Sequence, residues 1–122
     1  MKKLFFILSL LIGFSCANAQ NDLQPKDFVA KVKATKNAQL LDVRTPEEWA
    51  NGKIASSKCV NFMDTNFKKN LESLDKNKPV FVYCAAGGRS SKAKKVLQEA
   101  GFKEIYNLVG GGYQQLAEAG IK

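Results

Sequence analysis

The chain has 122 residues, 19 of them Lys or Arg against 11 Asp or Glu, giving a net charge of +8, and it has no histidine. One domain is expected at this length, and the missing histidine excludes His-based triads, His general bases and His-containing zinc sites. No basic stripe is interleaved with aromatic residues, which argues against nucleic acid as a partner; the lysines, Lys92, Lys94 and Lys95 among them, read as scattered over solvent faces.

Lys2 and Lys3 open the chain, residues 4–14 are apolar but too few to span a bilayer, and Ala17-Asn18-Ala19 is a small-x-small cleavage site. Residues 1–19 are therefore expected to be a cleaved signal peptide. Residues 20–122 would then form one exported, periplasmic domain with no stable membrane insertion. Lipid attachment at Cys16 is the alternative, and bulky Phe14 just before it fits that signal poorly. Without Lys2 and Lys3 the domain keeps 17 basic and 11 acidic residues, an excess that favours solubility and draws in small anions. It keeps two cysteines, Cys59 and Cys84, with no Cys-x-x-Cys pair and too few ligands for zinc.

Residues 20–24 read as a short flexible lead. Pro25 suits a first helical position, and Phe28, Val29 and Val32 give an apolar face to a helix over 25–34. Residues 39–44 read as a strand with a charged end, Asp42-Val43-Arg44. Thr45, Pro46 and Glu48 then form a helix start with a capping box, anchored by Trp49 and stopped at Asn51-Gly52. A strand is expected over 58–62, and a helix capped by Asn66 that runs through Phe67, Leu71 and Leu74. Residues 79–84 are an apolar, β-branched and aromatic run, hence a buried strand. A helix follows over 89–100, burying Ala93, Val96, Leu97 and Ala100, with Gly101 as its stop. A strand over 103–109, the Gly110-Gly111-Gly112 passage and a helix over 113–119 complete the chain. Strands alternating with helices predict an α/β domain with a mostly parallel sheet. Ligands of such sheets sit beyond the carboxyl ends of the strands. Asp42–Arg44, Cys84 and Gly110–Gly112 all fall at such ends.

Cys84 ends a strand, precedes the small loop Ala85-Ala86-Gly87-Gly88, and stands just before a helix start. Small residues let backbone N–H groups turn toward one point, and the helix adds its positive end. A thiol held there is stabilised as thiolate and becomes a nucleophile. Alone, Cys84 would read as a buried packing cysteine; the loop and Arg89 favour the chemical reading. Arg89 is either a surface arginine, or paired with a strand-end acid such as Asp42, or turned to an anion. Asp42 and Arg44 read first as a structural ion pair or cap supporting the site. Glu47 and Glu48 read as first-turn acids that complement the helix dipole.

These segments together resemble the rhodanese-like sulfurtransferases. Leu41-Asp42-Val43-Arg44 followed by Glu48-Trp49 is similar to the family's Leu-Asp-Val-Arg-x-x-x-Glu-aromatic segment, and Gly52-Lys53-Ile54 stands where Gly-His-Ile is usual. Tyr83-Cys84-Ala85-Ala86-Gly87-Gly88-Arg89-Ser90 resembles the Tyr-Cys-x-x-Gly-x-Arg-Ser loop. Gly110-Gly111-Gly112-Tyr113 resembles the Gly-Gly-aromatic segment near the end. The four pieces lie in the family's order across about 25–121, most like the exported single-domain rhodaneses of bacteria. The resemblance implies a five-stranded, mostly parallel sheet with helices on both faces and Cys84 as the sulfur-carrying nucleophile. It implies that Ala85, Ala86, Gly87, Gly88, Arg89 and Ser90 form the substrate cradle. Thiosulfate or a related small anionic donor would leave a Cys84 persulfide, which cyanide or a thiol would accept, with no metal or organic cofactor.

Three positions depart from the pattern. Lys53 replaces a histidine of structural role. Ala85 stands where some thiosulfate-specific members carry a basic residue, and Leu116 where an aromatic residue is common. Related phosphatases separate Cys and Arg by five residues; here four separate Cys84 from Arg89, a tighter loop suited to a persulfide. A non-catalytic binding module is the other alternative. Export favours disulfides, yet Cys59 and Cys84 are not expected to pair. Cys59 would lie near the start of its strand and Cys84 at the end of its own, at different depths. The resemblance also implies that the strand over 39–44 lies between them, about 10 Å of separation, beyond the roughly 7 Å a disulfide tolerates. Cys84 would then depend on an exported thiol reductant as partner.

Overall fold

The computed structural model describes residues 21–122; the signal-peptide reading and the Cys16 alternative fall outside these residues. The organising strand, β4 (Val80–Tyr83), is buried at every position. That suits a central strand of a parallel sheet covered on both faces. β2 (Gln39–Asp42) lies on one side and β5 (Ile105–Leu108) on the other. β3 (Lys58–Cys59) and β1 (Asp22–Leu23) form the edges. The order is β1-β5-β4-β2-β3, with every pairing parallel. The expected five-stranded parallel sheet is therefore present.

Alternation along the strands sends side chains to two cores. Leu41, Val43, Val80, Val82 and Cys84 pack with Phe67 and Leu71 of the segment α3 (Phe67–Asn70) and its 3-10 continuation, and with Ala93 and Leu97 of α4 (Gly88–Glu99). On the other face Leu40, Phe81, Tyr83 and Leu108 pack with Phe28 of α1 (Pro25–Ala34) and Leu116 of α5 (Tyr113–Glu118). Leu116 is fully buried, so its departure from the family's aromatic is absorbed in packing. The short α2 (Pro46–Ala50) starts on the expected capping box: Glu48 N–H donates to Thr45 Oγ1, and Thr45 N–H donates to Glu48 Oε1.

Four local expectations change. The supposed lead over 20–24 contains β1, which pairs Asp22 with Asn107 and Leu23 with Leu108. Two residues carry no periodic signal, and the strand exists because β5 offers it a free edge. The strand expected over 58–62 keeps its ladder only at Lys58–Cys59, although Val60 N–H still reaches Asp42 O and Phe62 N–H reaches Val43 O. Asn66 makes no side-chain cap; its own N–H is taken by Asp64 Oδ1, and its backbone lies outside the extended region a cap needs. Lys94 is buried, not solvent-facing, with Nζ 2.8 Å from Asp22 Oδ1. By contrast, Gly101 stops α4 as expected. At φ +95° it donates its N–H to Gln98 O while Phe102 N–H reaches Leu97 O, a paired closure that favours glycine.

Candidate active site

Cys84 follows β4 at the carboxyl edge of the sheet, and only 1% of it is exposed. The loop above it is open: Ala85, Ala86 and Gly88 are exposed. Gly87 N–H donates to Cys84 Sγ at 3.0 Å, and Ser90 N–H donates at 3.4 Å. Gly87 reaches that position at φ +107°, where a side chain would strain the backbone. α4 begins at Gly88, so its first turn stands over the sulfur. Burial alone would push the Cys84 thiol up. The Ser90 N–H and hydroxyl, with the Ala86 and Gly87 N–H groups, outweigh it and hold the thiol below its ordinary value. Of the six cradle residues, Gly87 and Ser90 thus reach the sulfur at hydrogen-bond distance and Ala86 adds to them.

Arg89 does something else. Its Nη1 and Nη2 donate to Glu48 Oε1 and Oε2 at 2.7 and 3.0 Å, a bidentate pair. Of the readings the sequence left open, a surface arginine, a pair with a strand-end acid such as Asp42, or a side chain turned to an anion, none names this helix-start acid as the partner. The Arg89 contact is the main cause that draws the Glu48 carboxyl down to about 2, against a smaller opposing effect of burial; Thr45 N–H and hydroxyl assist. Glu48, read from sequence only as a helix-start acid, therefore both caps α2 and ties it to the Cys84 loop. Both residues stand inside the quoted family segments, the one signal that could have joined them.

Asp42 is fully buried and serves as a hub. Its Oδ1 accepts Arg44 N–H at 2.9 Å and Arg44 Nε at 3.0 Å, and its Oδ2 accepts Arg44 Nη2 and Tyr83 Oη, each at 2.9 Å. Arg44 Nη2 also donates to Gly52 O at 2.9 Å, and the guanidinium lies 4.0 Å over the Tyr113 ring. Asp42 and Arg44 thus form the expected structural pair, a brace beneath the site joining β2, β4, the Gly52 turn and α5. The glycine passage completes the convergence. Tyr113 N–H donates to Cys84 O at 2.8 Å, and a Cβ on Gly112 would stand 2.0 Å from Ala85 O. Only glycine lets the two backbones approach so closely.

Cys59 is half-buried and, like Cys84, free. The two cysteines do not lie at different depths as expected: register pairs Asp42 with both Cys59 and Tyr83, so Cys59 lies one residue from the level of Cys84. The separation stands on other grounds. β2 runs between the two strands, and Val60, next to Cys59, packs in the core that contains Cys84. Neighbouring strand residues face opposite ways, so the two thiols point to opposite faces. Among the described residues no cluster of His, Cys, Asp or Glu is arranged to hold a metal ion.

A parallel α/β sheet with a thiol cradled by backbone N–H groups beyond its central strand defines a class of domains built around one cysteine loop. A family model for the rhodanese-like domain matches residues 24–118, and the chain belongs to that family. The crystal structure of a rhodanese-like domain protein from Staphylococcus aureus superposes with a TM-score of 0.70 at 29% identity, covering 84% of this chain and 96% of that one. The thiosulfate sulfurtransferase GlpE of Coxiella burnetii is 36% identical over 72 residues, 59% of this chain and 65% of that protein. The tRNA uridine(34) hydroxylase of Pelagibacter ubique is 33% identical over 109 residues, 86% of this chain and 35% of that protein. The chain thus spans less than two thirds of either relative's length.

Proposed function

We propose that this protein is a sulfurtransferase that carries a sulfane sulfur on Cys84, taking it from thiosulfate or a related small anionic donor. The observation that carries the reading is the pair of N–H donors, Gly87 and Ser90, aimed at a buried thiol in a four-residue loop. The Cys84 thiolate attacks the outer sulfur of thiosulfate. The sulfur–sulfur bond of the donor breaks, and sulfite leaves with the electron pair. The negative charge of the resulting persulfide is stabilised by the same donors, already in place before the reaction. Cyanide or a thiolate then attacks the outer sulfur, forming thiocyanate or a new persulfide and returning the Cys84 thiolate.

Ala85, Ala86 and Gly88 leave the mouth of the loop open and uncharged, and Arg89 is neutralised by Glu48. Donor attraction therefore rests on backbone dipoles and the overall positive charge rather than on a cation in the loop. We place the protein in the periplasm, with residues 1–19 cleaved, where an exported thiol reductant maintains Cys84. Incubation with thiosulfate followed by mass spectrometry tests the chemistry. A gain of one sulfur atom on the Cys84 peptide, discharged by cyanide, is expected. Absence of that gain, or its presence in a Cys84→Ala protein, overturns it. Hydrolysis of an aryl phosphate in place of sulfur transfer would point to the phosphatase branch of the fold.

A further inference from the structure

We propose that Ser91 and Asn107 are positioning residues for the Cys84 cradle: they hold the carbonyl of Gly87, and so the left-handed turn whose N–H points at Cys84 Sγ. Gly87 supplies the shortest contact to the sulfur, 3.0 Å, yet glycine restrains its own backbone least of all residues. Restraint has to come from outside, and it meets Gly87 at its other end. Gly87 O accepts Ser91 Oγ–H at 2.8 Å and Ser91 N–H at 3.2 Å, with the Ser90 hydroxyl a longer third donor at 3.3 Å.

A serine hydroxyl bonding four residues back along a helix is common and needs no help. Here it has help from a buried residue. Asn107 on β5 is 1% exposed, and its Nδ2 donates to Ser91 Oγ at 3.1 Å. A hydroxyl has one proton. With Asn107 donating to the oxygen, that proton is left to point at Gly87 O. Asn107 Nδ2 also lies 3.4 Å from Asp22 Oδ1, which takes Lys94 Nζ at 2.8 Å. The chain of contacts therefore runs from edge strand β1 through β5 and α4 to the sulfur. It gives β1, whose two residues carry no periodic signal, a place in the geometry of the site.

The inference rests on Cys84 being the reactive thiol and is tested without a sulfur donor. Alkylation of the full chain by iodoacetamide is followed against pH, reading the Cys84 peptide by mass spectrometry. Ser91→Ala is the clean variant, because Ser91 is exposed and its loss opens no core. It leaves Arg89, Glu48, Asp42 and Arg44, the charges around the loop, unchanged. Loosening a donor to a thiolate should raise the Cys84 midpoint by about half a pH unit. Ser91→Thr, which keeps the hydroxyl, should restore it, with little change in melting temperature for either. A Ser91→Ala midpoint equal to wild type, or a Ser91→Thr midpoint as high as Ser91→Ala, overturns the positioning role. A wild-type midpoint at or above that of ordinary cysteine overturns the reactive-thiol reading and this inference with it. A depressed wild-type midpoint without sulfur transfer overturns the proposed function alone.

Discussion

Cys84 is the more deeply buried of the two thiols, yet its pKa is the one lowered. Cys59 is half-buried, and its thiol is pushed up, chiefly by burial. Among the described residues its hydrogen-bonding neighbour is Ser57 Oγ, 3.9 Å away. Cys84 is almost wholly enclosed and suffers the same penalty, but the Ser90, Ala86 and Gly87 donors reverse it. Burial therefore does not decide which thiol's pKa falls. The number of N–H groups aimed at the sulfur does, because a low-dielectric pocket strengthens every donor that points into it. The two regions also differ in what built them. Cys59 sits on an edge strand of two residues, whereas Cys84 leaves the central strand straight into a helix start.

Replacing each cysteine breaks the comparison most sharply. Cys84→Ala should abolish sulfur transfer with the fold retained by circular dichroism, whereas Cys59→Ala should keep transfer near wild type and cost about 1 kcal/mol or less. Equal losses in both variants would remove the distinction. Gly112→Ala comes next. Its Cβ would stand 2.0 Å from Ala85 O and 2.4 Å from Cys84 O, so the loop must move. A loss of at least about 2 kcal/mol in denaturant unfolding is expected, together with a rise in the Cys84 alkylation midpoint toward ordinary cysteine and no change at Cys59.

The Glu48–Arg89 pair offers a smaller and pH-dependent effect. The folded Glu48 pKa is about 2, below its unfolded value, so its stabilisation is full above the ordinary carboxylate range. It fades as pH falls toward about 2. Unfolding free energy should decline through that window, and Glu48→Gln should flatten this part of the profile. The Arg89 and Glu48 side chains are 26% and 32% exposed, so the pair contributes no more than about 1 kcal/mol at neutral pH. The finest test is the pair of thiol midpoints in the wild-type protein. Cys84 should alkylate with a midpoint below about 8.5 and Cys59 above it. The reverse order would contradict the donor argument.

The alternation of strands and helices, the buried β4 run, the α2 capping box and Cys84 with its small loop were legible in the residues alone. Each of these rests on local chemistry: β-branched runs, Thr45 and Glu48 three residues apart, glycines before a helix. The five-stranded parallel sheet, the place of β2 between the strands of Cys59 and Cys84 and the sulfur-carrying role came from resemblance in the quoted segments, and the structure has that sheet and that placement of β2. Tertiary structure alone decided the rest. β1 has no pattern in Asp22-Leu23 and becomes a strand only against the free edge of β5. Lys94 looks like any helix lysine until β1 brings Asp22 beside it. Arg89 takes Glu48 while Asp42 is filled by Arg44, two residues on, and by Tyr83, which the β2–β4 pairing sets beside it. A carboxylate has few acceptor positions, and which donors reach them depends on chain segments some forty residues apart, a distance at which local sequence carries no geometric information.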